Sequence, residues 1–90
     1  MLVKRQPTLK TWSLSAAEVG GMHLAGLSPE KIARRLDLGV GYVAELTDLY
    51  LGYKKYSEIL RAKTFQEAKV LLRACREAER LRKIRELPIP

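Results

Sequence analysis

Residue types that carry chemistry are sparse in this chain of 90 residues, and their spacing argues against catalysis. His23 is the single histidine and Cys75 the single cysteine, so the usual zinc-ligand spacings find no ligand set. His23 reads as a helix-surface or half-buried side chain, and Cys75, on an apolar helix face, as a small core residue. The glycines at Gly20-Gly21 and at Gly39 and Gly41 match neither nucleotide-binding loop, whose glycines let backbone amides close on a phosphate. The carboxylates are dispersed along the chain, each with a capping or pairing role at hand. No catalytic residue, metal ligand or cofactor is assigned, and the chain reads as a non-enzyme.

What the residues do offer is positive charge, unevenly placed. The formal net charge is +7. Residues 1–13 hold Lys4, Arg5 and Lys10 and no acid, residues 14–53 set three bases against five acids, and residues 54–90 set eleven bases against five acids. The excess therefore lies in two flanks around a slightly acidic middle. In the second flank Lys69, Arg73, Arg76, Arg80 and Lys83 follow at spacings of four, three, four and three, which gathers them within about 80° on a helix. Such a stripe can neutralise several phosphates, giving salt-sensitive affinity without sequence preference. The plainer reading is a solvated face with pairs such as Glu79 to Lys83 along it.

The elements that must carry these residues are helical. Hydrophobic residues make up 47% and charged residues 30% of the chain, which excludes wholesale disorder. No apolar run reaches the roughly 18 residues of a membrane span. A basic N-terminal arm is expected over residues 1–13, with Trp12 clamping it to the helical body. Ser15-Ala16-Ala17-Glu18 has the form of a capping box and predicts a helix from there to about Ala25, with Gly26 as its left-handed cap. Gly20-Gly21 inside that helix demands a close neighbour to offset its poor propensity. Ser28-Pro29-Glu30 predicts a second start, and Ile32, Ala33 and Leu36 give that helix an inward face. A third helix is expected over residues 42–51, ended or kinked by Gly52. A short connecting helix over residues 54–62 is followed by the capping box Thr64-Phe65-Gln66-Glu67, which opens a long helix running to Leu87 before Pro88. On that helix Val70, Leu71, Ala74, Cys75, Ala78 and Leu81 lie opposite the basic stripe. No strand pattern and no internal repeat appears.

One stretch resembles a known family. Leu14-Ser15-Ala16-Ala17-Glu18-Val19, then residues 24–36 with Gly26-Leu27-Ser28 and the Ile32-Ala33 and Leu36 positions, then Tyr42-Val43, look like the DNA-binding helix-turn-helix of LuxR-type regulators and of sigma-factor region 4. The resemblance spans residues 14–50 and implies an all-α fold: a tri-helical helix-turn-helix core over 14–53, preceded by the basic arm and followed by a C-terminal extension over 54–90 that holds a long basic amphipathic helix. In that pattern the second helix crosses the DNA backbone and the start of the third enters the major groove. It implies Val40, Gly41, Tyr42, Ala44 and Glu45 as base-facing residues, with Asp48 beside them. The phosphate-binding set is Lys31, Arg34 and Arg35 together with Lys4, Arg5, Lys10, Lys69, Arg73, Arg76, Arg80 and Lys83. The sequence departs from the family in two places: Asp37 stands where the turn usually holds glycine, and the expected recognition face carries no Arg, Lys, Asn or Gln to read guanine or adenine.

These readings converge on a cytoplasmic, sequence-preferring DNA-binding protein, expected to be a small bacterial, plasmid or phage transcriptional regulator. Its partner would be double-stranded DNA, and it is expected to form a homodimer through Leu71, Ala74, Ala78 and Leu81 at heptad spacing. The alternative is an adaptor whose acidic third helix binds a protein such as RNA polymerase or a sigma factor. A third reading is a phage packaging protein resembling terminase small subunits.

Overall fold

The computed structural model describes residues 11–86, and every regular element among them is helical. The elements are α1 (Thr11–Leu24), α2 (Pro29–Leu36), α3 (Val40–Lys55) and α4 (Phe65–Glu86), with a 3-10 turn at Ser57–Arg61 between the last two. Among the described residues no helix is long and apolar enough to cross a membrane.

Helix α1 begins at Thr11, four residues before the predicted capping box, so Ser15 sits inside the helix instead of at its cap. The reason is tertiary. Trp12 is buried, and its indole Nε1–H donates to the Ala62 carbonyl at 2.9 Å across 50 residues of chain. Its ring meets Tyr53 edge-on at 6.0 Å. An aromatic ring with a satisfied N–H is a strong anchor, and it holds the first turn helical ahead of the local signal. Residues 11–13 therefore belong to α1 and not to the expected arm; residues 1–10 lie outside the described residues. The other end is as predicted. Gly26 adopts φ 95°, its N–H reaches His23 O at 3.0 Å, and the Leu27 N–H reaches Met22 O at 3.1 Å, the two bonds of a Schellman motif.

The close neighbour demanded within α1 is Tyr50. A Cβ on Gly20 would lie 2.2 Å from the Tyr50 ring, whereas one on Gly21 would meet open space. Helix α2 starts as expected: Ser28 Oγ accepts from the Lys31 N–H at 3.2 Å, Pro29 takes the first position, and Ile32 and Ala33 are buried. It ends on Asp37, at φ 58°, whose N–H returns to Ala33 O. The left-handed position is thus where glycine would be expected.

Helix α3 is longer than predicted, and Gly52 does not end it. Gly52 is buried in the helix interior, and a Cβ there would fall 2.6 Å from Leu72 Cδ1 of α4. The glycine marks a close approach of α3 and α4, not a break. The expected connecting helix over 54–62 is a single 3-10 segment that buries Ile59. Helix α4 opens at the predicted box: Thr64 Oγ1 accepts from the Glu67 N–H at 3.0 Å, and Glu67 Oε1 accepts from the Lys63 N–H at 3.1 Å.

A single core unites α1, α2, α3, the 3-10 segment and the start of α4, with Val19, Ile32, Val43, Leu46, Leu49 and Ile59 fully enclosed. Helix α4 contributes Ala68 and Leu72, backed by half-buried Phe65, Leu71 and Cys75. From Arg80 to Arg85 each described residue is exposed, so the helix projects from the body, and the described residues span 66 × 28 × 18 Å.

Candidate nucleic-acid interface

Helix α2 presents its cations as a group. Lys31 stands one turn before the adjacent Arg34 and Arg35 on the side away from Ile32 and Ala33, and together they line an open notch of about 280 Å³. All three are exposed, and none is ion-paired among the described residues. The sequence patterning produces this directly: burying Ile32 and Ala33 forces positions 31, 34 and 35 outward.

The expected base-facing residues divide into two sets. Val40, Gly41 and Ala44 are exposed at the start of α3 and bring no hydrogen-bonding side chain. Tyr42 and Glu45 lean towards α4. Tyr42 packs on the Phe65 ring with centroids 5.1 Å apart, and Glu45 Oε2 receives Lys69 Nζ at 2.6 Å. Asp48 is held by the two terminal nitrogens of Arg76, at 2.6 and 3.2 Å. The acidic side of α3 is therefore matched by bases from α4 across a groove of about 300 Å³, into which Arg73 also projects.

This pairing changes the basic stripe. Lys69 and Arg76 are engaged with α3, and Arg80 pairs with Glu77 one turn earlier on its own helix. Hydrogen bonding to Asp48 and to Glu77 raises the affinity of Arg76 and Arg80 for their protons still further. Arg73 and Lys83 carry no ion pair among the described residues. Lys4, Arg5 and Lys10 lie outside the described residues.

A second polar cluster, not anticipated from the sequence, closes the far end of the α3–α4 contact. The Tyr56 hydroxyl and Lys55 Nζ, the latter at 3.1 Å, both reach Glu79 Oε1. The Tyr56 hydrogen bond, followed by the Lys55 contact, pulls the Glu79 carboxyl below its ordinary range, and the same bond pushes the Tyr56 phenol up. Burial, with Glu58 nearby, raises the Cys75 thiol. Among the described residues no group of three or more His, Cys, Asp or Glu side chains is placed to hold a metal.

The arrangement can bind anions along α2 and at Arg73 and Lys83, while the α3 acids are internally neutralised. No family model, curated protein or solved structure matches this chain.

Proposed function

We propose that the chain is a helix-turn-helix DNA-binding protein acting in the cytoplasm, in which α2 lies across the phosphate backbone and the start of α3 approaches the major groove. The observation that carries this reading is the α2 notch: three exposed cations, without ion pairs among the described residues, on one face of a helix that leads through a tight left-handed turn into an exposed, uncharged helix start. The α3–α4 pairs support it, because Glu45 and Asp48 would otherwise repel phosphates. Affinity rests mainly on backbone contacts, which position a protein on the duplex without reading it. Sequence preference is correspondingly modest and comes from apolar contacts, Val40 and Ala44 against thymine methyl groups.

A mobility-shift titration against random duplexes at two salt concentrations tests the reading. Binding that falls steeply with salt is expected, and Lys31→Ala, Arg34→Ala or Arg35→Ala should weaken all duplexes alike. Absence of binding at low salt overturns it.

A protein-binding adaptor is the second reading. It is favoured by the exposure of Val40 (45%) and Leu51 (46%) on α3, apolar surface that could seat a partner helix. Substitution of Val40 and Leu51 that leaves DNA binding intact but abolishes capture of RNA polymerase or a sigma factor would select it.

A further inference from the structure

Helix α4 has three longitudinal faces; two are used along their length by its own chain, and the third only at its N-terminal end, where Leu71 backs the core and Glu67 accepts from the Lys63 N–H. Ala68, Leu72 and Cys75 point into the core, and the flank holding Lys69 and Arg76 meets the α3 acids. The other flank carries Glu67, Leu71, Ala74, Ala78, Leu81 and Arg85, exposed apart from half-buried Leu71. Its spacing is four, three, four, three, four, which reads the same in both directions. So do its apolar types: leucine, alanine, alanine, leucine. The two ends are not alike but opposite, a carboxylate at Glu67 and a guanidinium at Arg85.

We infer that α4 pairs with α4 of a second copy of this chain, antiparallel, about a two-fold axis midway between Ala74 and Ala78. In that register each Leu71 meets the partner's Leu81, each Ala74 meets the partner's Ala78, and each Glu67 meets the partner's Arg85. Both ends of the contact then close on an ion pair. The paired stretch is about 27 Å long at 1.5 Å per residue. Small residues at its centre let the two helices approach closely, while the leucines fill the space on either side.

Charge complementarity selects this occupant and this direction. A parallel pair would set Glu67 against Glu67 and Arg85 against Arg85, whereas the antiparallel pair sets each against its opposite. Shape agrees. From Arg80 onward α4 projects clear of its own body, and beside the N-terminal half lies an open apolar notch of about 360 Å³ bordered by Ala62, Val70 and Leu71. An antiparallel partner lays its projecting half, with Leu81 and Ile84, over that notch. Both are exposed here, at 46% and 52%. The pairing does not depend on the DNA reading: it would hold equally for an adaptor.

The test is the mass of the full-length protein by sedimentation equilibrium over a concentration series, with and without charge exchange. The wild type is expected to form a concentration-dependent dimer. Leu81→Lys, at an exposed position where folding is not at risk, should leave a monomer. Glu67→Arg alone and Arg85→Glu alone should each weaken dimerisation about tenfold, since each replaces two attractive contacts by repulsive ones. An equal mixture of these two variants should recover it, because every 67–85 contact in the mixed dimer is again between opposite charges. Recovery also answers whether Glu67→Arg, which gives up its contact with the Lys63 N–H, still folds. A wild type that is monomeric throughout, or a ring of three or more copies, overturns the inference. So do single variants that dimerise like the wild type, or a mixture that stays monomeric.

Discussion

At Asp37 the backbone takes φ 58°, the conformation in which an L side chain crowds its own carbonyl and glycine does not. Aspartate is among the residues that tolerate it, so Asp37→Gly is expected to raise stability by only about 0.5 kcal/mol, the relief of strain being partly offset by the freer unfolded chain. The midpoint of chemical denaturation measures it. Glu79 gives a pH signature of definite sign. Its carboxyl is depressed in the folded state by the Tyr56 hydroxyl and Lys55, so its contribution is fully present above the ordinary value of 4.5 and is lost as pH falls through the lower folded value. Thermal melts from pH 7 to pH 3 should show the wild type losing that increment below about pH 4.5, while Glu79→Gln shows a shallower decline. An equal acid slope in the two proteins would contradict the assignment. Residues of this kind were partly legible: the departure at Asp37 stood out against the turn pattern, whereas Glu79 looked like a partner for Lys83 because its true partners lie 23 and 24 positions away.

Among the elements, the starts and stops set by local chemistry were readable and those set by packing were not. Ser28, Gly26 and Thr64 act through hydrogen bonds to residues three to five positions away, so a short window of sequence contains the whole cause. Ser15 has the same form but loses to the Trp12 anchor, whose acceptor is on Ala62. Gly52 resembles a helix terminator until Leu72 is seen against it. Gly52→Ala should therefore destabilise the protein, by about 1–3 kcal/mol, in place of the usual gain from removing glycine in a helix. Equilibrium unfolding followed by circular dichroism settles the sign, and a stabilised variant would mean that α3 and α4 separate freely. The core side of α4 was not legible: Ala68 and Leu72 carry the burial, while the Leu71–Ala74–Ala78–Leu81 stripe is the one expected to face a second copy. A helix with apolar residues on two sides has no periodicity that says which side its own core will take.

Across the whole molecule the governing feature is where charge is spent. The acidic middle and basic tail noted in the sequence meet at the α3–α4 contact, which quiets Glu45 and Asp48 and ties up Lys69 and Arg76. The all-helical architecture was legible from caps and spacing, but this mutual cancellation was not, because no local pattern reports which helices lie side by side. Among the described residues the α2 trio stands outward as a cluster of cations without ion pairs around one notch, and the DNA reading stands or falls on it. The decisive measurement is the salt dependence of binding to a random duplex, by fluorescence anisotropy, for the wild type and for the triple variant Lys31→Ala, Arg34→Ala, Arg35→Ala. The expected result is wild-type binding at low salt that weakens steeply as salt rises, and a triple variant that binds more weakly with a log–log slope shallower by about three. No wild-type binding at low salt, or an unchanged slope in the triple variant, would contradict it.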